Sequence, residues 1–92
     1  MFLEIVTPEA VIFNSDVDSV LVPGVNGKFQ MLRNHAAIVS LLVGGSVVIK
    51  GSNVQIEKEF ESKFTILKDE YSLEINSGTI EMKDDKIIIL AD

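Results

Sequence analysis

Residues 78–90, with the sequence GTIEMKDDKIIIL, have the pattern of a β-hairpin. Two runs rich in apolar and β-branched residues, 78–82 and 86–90, lie on either side of the polar segment 83–85. β-Branched residues favour strands, and a short polar segment between two such runs is typical of a hairpin turn. The segment therefore predicts two antiparallel strands joined by a tight turn.

The same alternation of strands and turns extends over the rest of the chain. Further runs with strand character occur at 2–7, 10–13, 16–22, 28–32, 46–50 and 71–76. Turn dipeptides at 23–24, 26–27 and 44–45 separate several of these runs. Many short strands with turn residues at intervals of about eight to twelve positions indicate a β-sandwich or a small barrel. We predict an all-β fold, a two-sheet antiparallel β-sandwich of about eight to ten short strands, as a single domain over residues 1–92 with no C-terminal helical domain.

Two segments are harder to interpret. The apolar run 36–43 (AAIVSLLV) is long enough for a helix or a strand, and the glycines after it favour a strand buried on both faces. Because a small two-sheet domain has no third layer, either a loop or a partner protein must cover the second face of that strand. Residues 54–67 alternate, which predicts a further strand with Glu57, Glu59 and Glu61 on one solvated face.

Composition excludes several classes of function. The chain holds 14 acidic and 8 basic residues, for a net charge of −6, and an acidic surface repels the phosphates of nucleic acid. There is no cysteine and the single histidine is His35, so a zinc site or a nucleophile–base pair lacks its usual residues. No apolar run approaches the ~18 residues of a membrane span, and residues 1–9 lack the regions of a signal peptide. We expect no catalytic residue, no metal ion, no cofactor and no membrane insertion.

Three longer stretches, taken in order, resemble one known family. They are LEIVTPEAVIFNSDVDSVLVPGVNGKFQML at 3–32, NHAAIVSLL at 34–42 and NSGTIEMKDDKIIILAD at 76–92. Together they resemble the N-terminal β-sandwich of the epsilon subunit of F-type ATP synthase, and residues 51–70 match least well. The resemblance implies a non-catalytic rotor subunit of the central stalk. Such a subunit fastens the gamma subunit to the c-ring and helps couple proton or sodium translocation to ATP synthesis.

The resemblance also implies which residues meet each partner. The c-ring contact corresponds to a glycine-containing turn and the histidine after it, here Asn26, Gly27, Lys28, Phe29 and His35. The gamma contact corresponds to the next strand, here Ile38, Ser40 and Leu42. Cationic residues are concentrated between Lys28 and His35, and charges at the rim of an interface tune orientation and encounter rate more than affinity. The implied location is peripheral, at the cytoplasmic face of the bacterial inner membrane.

This chain departs from the family pattern in several places. Lys28 stands where an acidic residue is frequent, and Arg33 and Ala37 replace prolines that flank the histidine. Many members continue past the L-A-D motif into two helices that can bind ATP and restrain hydrolysis. Because the chain stops at Asp92, no nucleotide site and no ATP binding are expected of it.

Two other functions remain open at the level of sequence. A stand-alone ligand-binding β-sandwich would present exposed aromatic residues or a pocket with converging polar groups. One tyrosine and no tryptophan give that alternative little support. A small β-barrel enzyme would depend on His35 or on a pair of carboxylates.

Overall fold

The computed structural model describes residues 1–92 and contains ten β-strands and one short 3-10 helix. The strands are β1 (Phe2–Val6), β2 (Val11–Asp16), β3 (Ser19–Gly24), β4 (Gly27–Leu32), β5 (Ile38–Leu42), β6 (Gly45–Lys50), β7 (Thr65–Leu67), β8 (Glu70–Ile75), β9 (Gly78–Lys83) and β10 (Lys86–Ala91). The 3-10 helix covers Lys58–Lys63. No helix in the chain has the length and apolar character needed to cross a membrane.

The strands form two layers that remain joined at one corner. Hydrogen bonding connects β2-β1-β10-β9-β5 in the first layer and β4-β3-β6-β8-β7 in the second. The chain passes between layers from β5 to β6, where Leu42 pairs with Gly24 and the Val43 N–H donates to the Pro23 carbonyl oxygen at 2.9 Å. Such corners, where a strand leaves one sheet for the other, are a known feature of packed sheets. The predicted β-sandwich is confirmed, with one difference: β1 and β10 pair in parallel.

Period-two alternation places one row of each strand in a shared core. In β1, Leu3 and Ile5 are fully buried, and their partners on β10, Ile87 and Ile89, are fully buried too. The predicted 78–90 hairpin is confirmed as β9 and β10, joined by a turn at Asp84 and Asp85, both with positive φ. The core joins both layers in one cluster of twenty residues: Met1, Leu3, Ile5, Ile12, Phe13, Val17, Val20, Val22, Met31, Leu42, Val47, Ile49, Phe64, Leu73, Ile75, Ile80, Met82, Ile87, Ile89 and Ala91.

The strand predicted over 54–67 is wrong. Residues 58–63 form the 3-10 helix, in which the Phe60 N–H donates to the Glu57 carbonyl oxygen at 2.9 Å, and only Thr65–Leu67 form a strand. The helix and the residue after it bring two aromatic side chains inward: Phe60 is half-buried against the core, and the Phe64 ring centroid lies 5.7 Å from that of Phe13. The glutamates at 57, 59 and 61 are exposed, as expected, but they do not share one strand face.

The single strand predicted over 16–22 is divided by a bend. β2 ends at Asp16 and β3 begins at Ser19. Between them, the Val17 N–H donates to the Met1 carbonyl oxygen at 2.7 Å and the Asp18 N–H to that of Lys50 at 2.8 Å. These two bonds to distant parts of the chain turn the backbone from the first layer into the second.

Candidate functional site

The strand predicted within segment 36–43 is confirmed, but the chain itself covers only one of its two faces. Only Ile38–Leu42 form a strand, and its residues alternate in exposure. Val39 is 75% exposed and Leu41 is 64% exposed, whereas Leu42 is 3% exposed within the core. An apolar strand at the edge of a sandwich has one face without a partner, and here that face meets solvent.

Leu41 belongs to a larger apolar row on the outer face of the first layer. The strand registers pair Leu41 with Thr79, Thr79 with Leu90, Leu90 with Val6 and Val6 with Val11. Directly paired residues point to the same face of a sheet, so these five side chains form a continuous band across five strands, called here the apolar row. Its leucines and Val11 are all exposed.

A more polar row runs beside the apolar row on the same face. Here Val39 pairs with Glu81, Glu81 with Ile88, Ile88 with Glu4 and Glu4 with Asn14. The outer face is therefore apolar toward the 42–45 corner and charged toward the opposite end. An apolar area bordered by polar residues is a usual feature of a protein–protein interface.

At the corner end, the apolar row opens into a shallow depression of about 690 Å³. Its apolar lining includes Val25, Leu41, Val43 and Leu90. Small-molecule sites enclose most of the ligand and aim a few polar groups at it. This depression is open and holds no titratable group other than Asp92, so its geometry suits a flat apolar partner surface better than a small ligand.

No other strand pairs continuously along the second edge of β5. β5 pairs along its length with β9, and its only other pairing is that of Leu42 with Gly24. The backbone of Ile38–Leu41 therefore has one edge open to a further strand or to another polar partner.

The predicted c-ring contacts do not form one surface. Val25–Lys28 are all exposed at the tip of the β3–β4 hairpin, and Phe29 follows with its ring half-buried. His35 comes after the far end of β4. Because β4 has 6 residues and a strand rises roughly 3.4 Å per residue, its two ends lie on the order of 17 Å apart. The cationic residues are thus divided, with Lys28 at one end and Arg33 with His35 at the other.

Two glycines shape the tip of this hairpin. Gly27 has φ +114°, a conformation that L side chains rarely adopt. A Cβ on Gly24 would lie 2.7 Å from the Phe29 ring and 2.8 Å from the Gly27 carbonyl oxygen. The turn is therefore compact, and its backbone path depends on both glycines.

His35 has no neighbouring acid–base partner. Its side chain is exposed, and the ring Nδ1 lies 2.7 Å from the Ala36 carbonyl oxygen. The main-chain N–H of His35 donates to the Leu32 carbonyl oxygen at 3.0 Å. No group of three or more histidine, cysteine, aspartate and glutamate residues is arranged to hold a metal ion. These contacts give His35 a role in turn structure and no arrangement for general base chemistry.

The predicted gamma contacts lie on the inward row of β5. Ile38 is half-buried against the core, and Ser40 is half-buried, with its hydroxyl donating to the Leu41 carbonyl oxygen at 3.3 Å. Leu42 has almost no exposed area to offer a partner. Contact of these three residues with gamma stays a prediction. Val39 and Leu41, which face outward, are not among the predicted contacts, although alternation within the run 38–42 already separates the two rows.

Known proteins similar to this chain were found by sequence and by structure. The family model for the β-sandwich domain of the ATP synthase delta/epsilon chain matches residues 1–92. The ATP synthase epsilon chains of Campylobacter curvus and Campylobacter concisus are 37% and 38% identical to this chain over its whole length, which covers 60% of each of them. The chain thus spans about 60% of the length of these relatives. The ATP synthase epsilon chain of Chlorobium limicola is 32% identical over 98% of this chain and 86% of its own length.

A solved structure has the same fold. It is a chain in the cryo-EM structure of the central stalk and c-ring of the Tetrahymena thermophila mitochondrial ATP synthase. The TM-score is 0.72 at 12% identity, and the match covers 99% of this chain and 62% of that chain. At this identity the likeness shows a common sandwich architecture.

Proposed function

The chain belongs to the ATP synthase delta/epsilon chain family, whose β-sandwich domain it matches throughout, and from this membership we propose that it is a non-catalytic subunit of the central stalk. In this role it joins the gamma subunit to the c-ring and helps couple proton or sodium translocation to ATP synthesis. It works at the periphery of the membrane, on the cytoplasmic face of the bacterial inner membrane. It needs no cofactor and no nucleotide for this task.

The observation that carries the proposal is the exposed apolar row. Contiguous apolar surface on a small domain marks a protein-binding site, because burying it removes that surface from water. Leu90 stands at its middle and Leu41 at its β5 end, with 52% and 64% of their surface exposed. We assign this row, together with Val39 and the open edge of β5, to the contact with gamma.

The hairpin tip Val25–Lys28 is assigned to the c-ring. Four consecutive exposed residues on a compact turn present a small, well-positioned surface, and Lys28 adds one charge at its rim. Since His35 lies at the other end of β4, its proposed contact belongs to a separate part of the interface.

The architecture suits a component that transmits torque. Two layers share one core and are joined through the 42–45 corner, so bending one layer against the other would disturb close packing. A load applied at the hairpin tip is therefore carried to the apolar row through paired strands and packed side chains.

The assignment is tested by binding to the cognate gamma subunit, measured by native mass spectrometry and by titration. We expect the unmodified chain to bind gamma and Leu41→Asp to bind about a hundredfold more weakly, because a carboxylate would be desolvated within the contact. Leu41→Asp should fold normally, since the side chain is already in water.

Leu67→Asp is the matched control. Leu67 is 61% exposed on β7, the outermost strand of the second layer, so the same chemical change is made at similar exposure on another surface. Its affinity for gamma should equal that of the unmodified chain. An equal loss of gamma affinity in both variants would show that the contact does not lie on the apolar row. Absence of gamma binding by the unmodified chain would refute the proposed function.

A further inference from the structure

The Asn26-Gly27 pair at the tip of the β3–β4 hairpin is open to attack by base and water. Both residues and their two neighbours are accessible to solvent. Apart from Gly27 itself and its two chain neighbours, no residue has a heavy atom within 4 Å of the position that a Gly27 Cβ would occupy. Gly27 also pairs with Gly24 at the end of the β3–β4 ladder, where strand pairs open at the lowest free-energy cost.

We propose that Asn26 is a site of spontaneous deamidation through a cyclic imide. The Gly27 main-chain nitrogen, after losing its proton to base, attacks the Asn26 side-chain carbonyl carbon. A new C–N bond forms, the bond from that carbon to Nδ2 breaks, and ammonia leaves. Water then opens the imide at either carbonyl, which yields aspartate or isoaspartate. The net reaction consumes one water molecule, releases ammonia and replaces a neutral amide by a carboxylate.

Backbone hydrogen bonding hinders this reaction at two other asparagines. Asn14 lies within β2, where it pairs with Glu4 of β1, so its dihedral angles are fixed in the extended region. Asn34 precedes His35, whose N–H already donates to the Leu32 carbonyl oxygen at 3.0 Å. In both cases the following nitrogen must leave existing structure before it can attack, whereas Gly27 must leave only the last pair of the β3–β4 ladder.

At the remaining two asparagines, the residue that follows hinders attack by its main-chain nitrogen. Asn53 precedes Val54, a β-branched residue packed half-buried against the core, and its branched Cβ shields the nitrogen. Asn76 precedes Ser77, whose hydroxyl donates to Asp92 Oδ2 at 2.7 Å and whose carbonyl accepts from the Asp92 N–H at 3.2 Å. Asn26 alone among the five asparagines combines a glycine successor with an open hairpin tip.

Conversion at Asn26 changes the turn in two ways. A negative charge appears beside Lys28, and isoaspartate adds a methylene to the main chain of a turn already compact at Gly24. The hairpin tip should therefore lose its well-defined path in the isoaspartate form. Only an effect on ring binding rests on the function proposed above; the chemistry takes place in the isolated chain.

The experiment follows the purified chain during incubation in mildly alkaline buffer, with mass spectrometry of its peptides. The tryptic peptide 1–28 contains both Asn14 and Asn26, so fragment ions must assign the modified position. We expect Asn26 to convert on the order of tenfold faster than any other asparagine, with isoaspartate as the main product.

Two variants make the assignment specific. Asn26→Gln should abolish the fast phase, because a glutamine must close a larger ring, whereas Asn53→Gln should leave the conversion at Asn26 unchanged. Conversion of Asn34, Asn53 or Asn76 at the rate of Asn26 would overturn the proposal. Formation of aspartate alone at position 26 would also overturn it, because direct hydrolysis would then replace the imide. None of these results depends on gamma or the c-ring.

Discussion

At the scale of single residues, glycines mark where two backbones come closest. A Cβ on Gly78 would lie 2.4 Å from the Leu90 carbonyl oxygen and 3.4 Å from the Ala91 Cα, both backbone atoms of the adjacent strand. A flexible side chain could move away from such a contact, but a paired strand cannot. Gly78 is therefore required by the packing of β9 against β10.

Gly78→Ala should lower the free energy of unfolding by about 2–4 kcal/mol, since the extra methyl group forces two paired strands apart. Urea denaturation followed by circular dichroism measures this loss. Gly44→Ala is the control, because its Cβ would come no closer to another atom than 3.3 Å, to the Asn76 carbonyl oxygen, and we expect a smaller effect. Equal stability of Gly78→Ala and the unmodified chain would show that the strands can separate freely at this point.

At the scale of elements, β5 shows how the strand register decides which side chains face outward and can meet a partner. Its five residues are nearly all apolar, and its pairing with β9 decides which of them face the core. A shift of one residue would exchange the inward and outward rows. Val39 and Leu41 are available to a partner because Ile38, Ser40 and Leu42 take the inward positions.

This register predicts opposite outcomes for two similar substitutions. Leu42→Asp should unfold the domain, because burying an unpaired carboxylate costs several kcal/mol, on the order of the whole stability of a small domain. Val39→Asp should leave the domain folded and lower the free energy of unfolding by about 1 kcal/mol or less, because the side chain is exposed and the new carboxylate faces only Glu81 across the strand pair. Thermal melts of the two variants distinguish the cases, and the reverse order would indicate that β5 is displaced by one residue.

At the scale of the whole molecule, one core connects both layers. The core cluster draws on strands of each sheet, and the two sheets remain hydrogen-bonded at the Gly24–Leu42 corner. Neither layer has an apolar interior of its own. Separation of the layers would expose the inner face of each to water, so neither is expected to persist alone.

Unfolding should therefore occur in one cooperative step. The single tyrosine, Tyr71, lies on β8 of the second layer, and its fluorescence reports that layer, whereas far-ultraviolet circular dichroism reports all ten strands. The two signals should give the same urea midpoint. A lower midpoint for either signal would mean that one layer unfolds before the other.

The sequence by itself determined most of the strands and turns and the sandwich, because period-two alternation and turn residues act over a few neighbouring positions. The 78–90 hairpin and the Asn26-Gly27 turn are examples, and the ordered motifs also indicated the family. Only the tertiary structure decided the 3-10 helix at 58–63, since Phe60 and Phe64 fold inward to meet a core built from distant strands. It also decided that Val39 and Leu41 face outward and that His35 lies far from the turn. An apolar run carries no local signal for its inward face, which depends on pairing with residues remote in sequence.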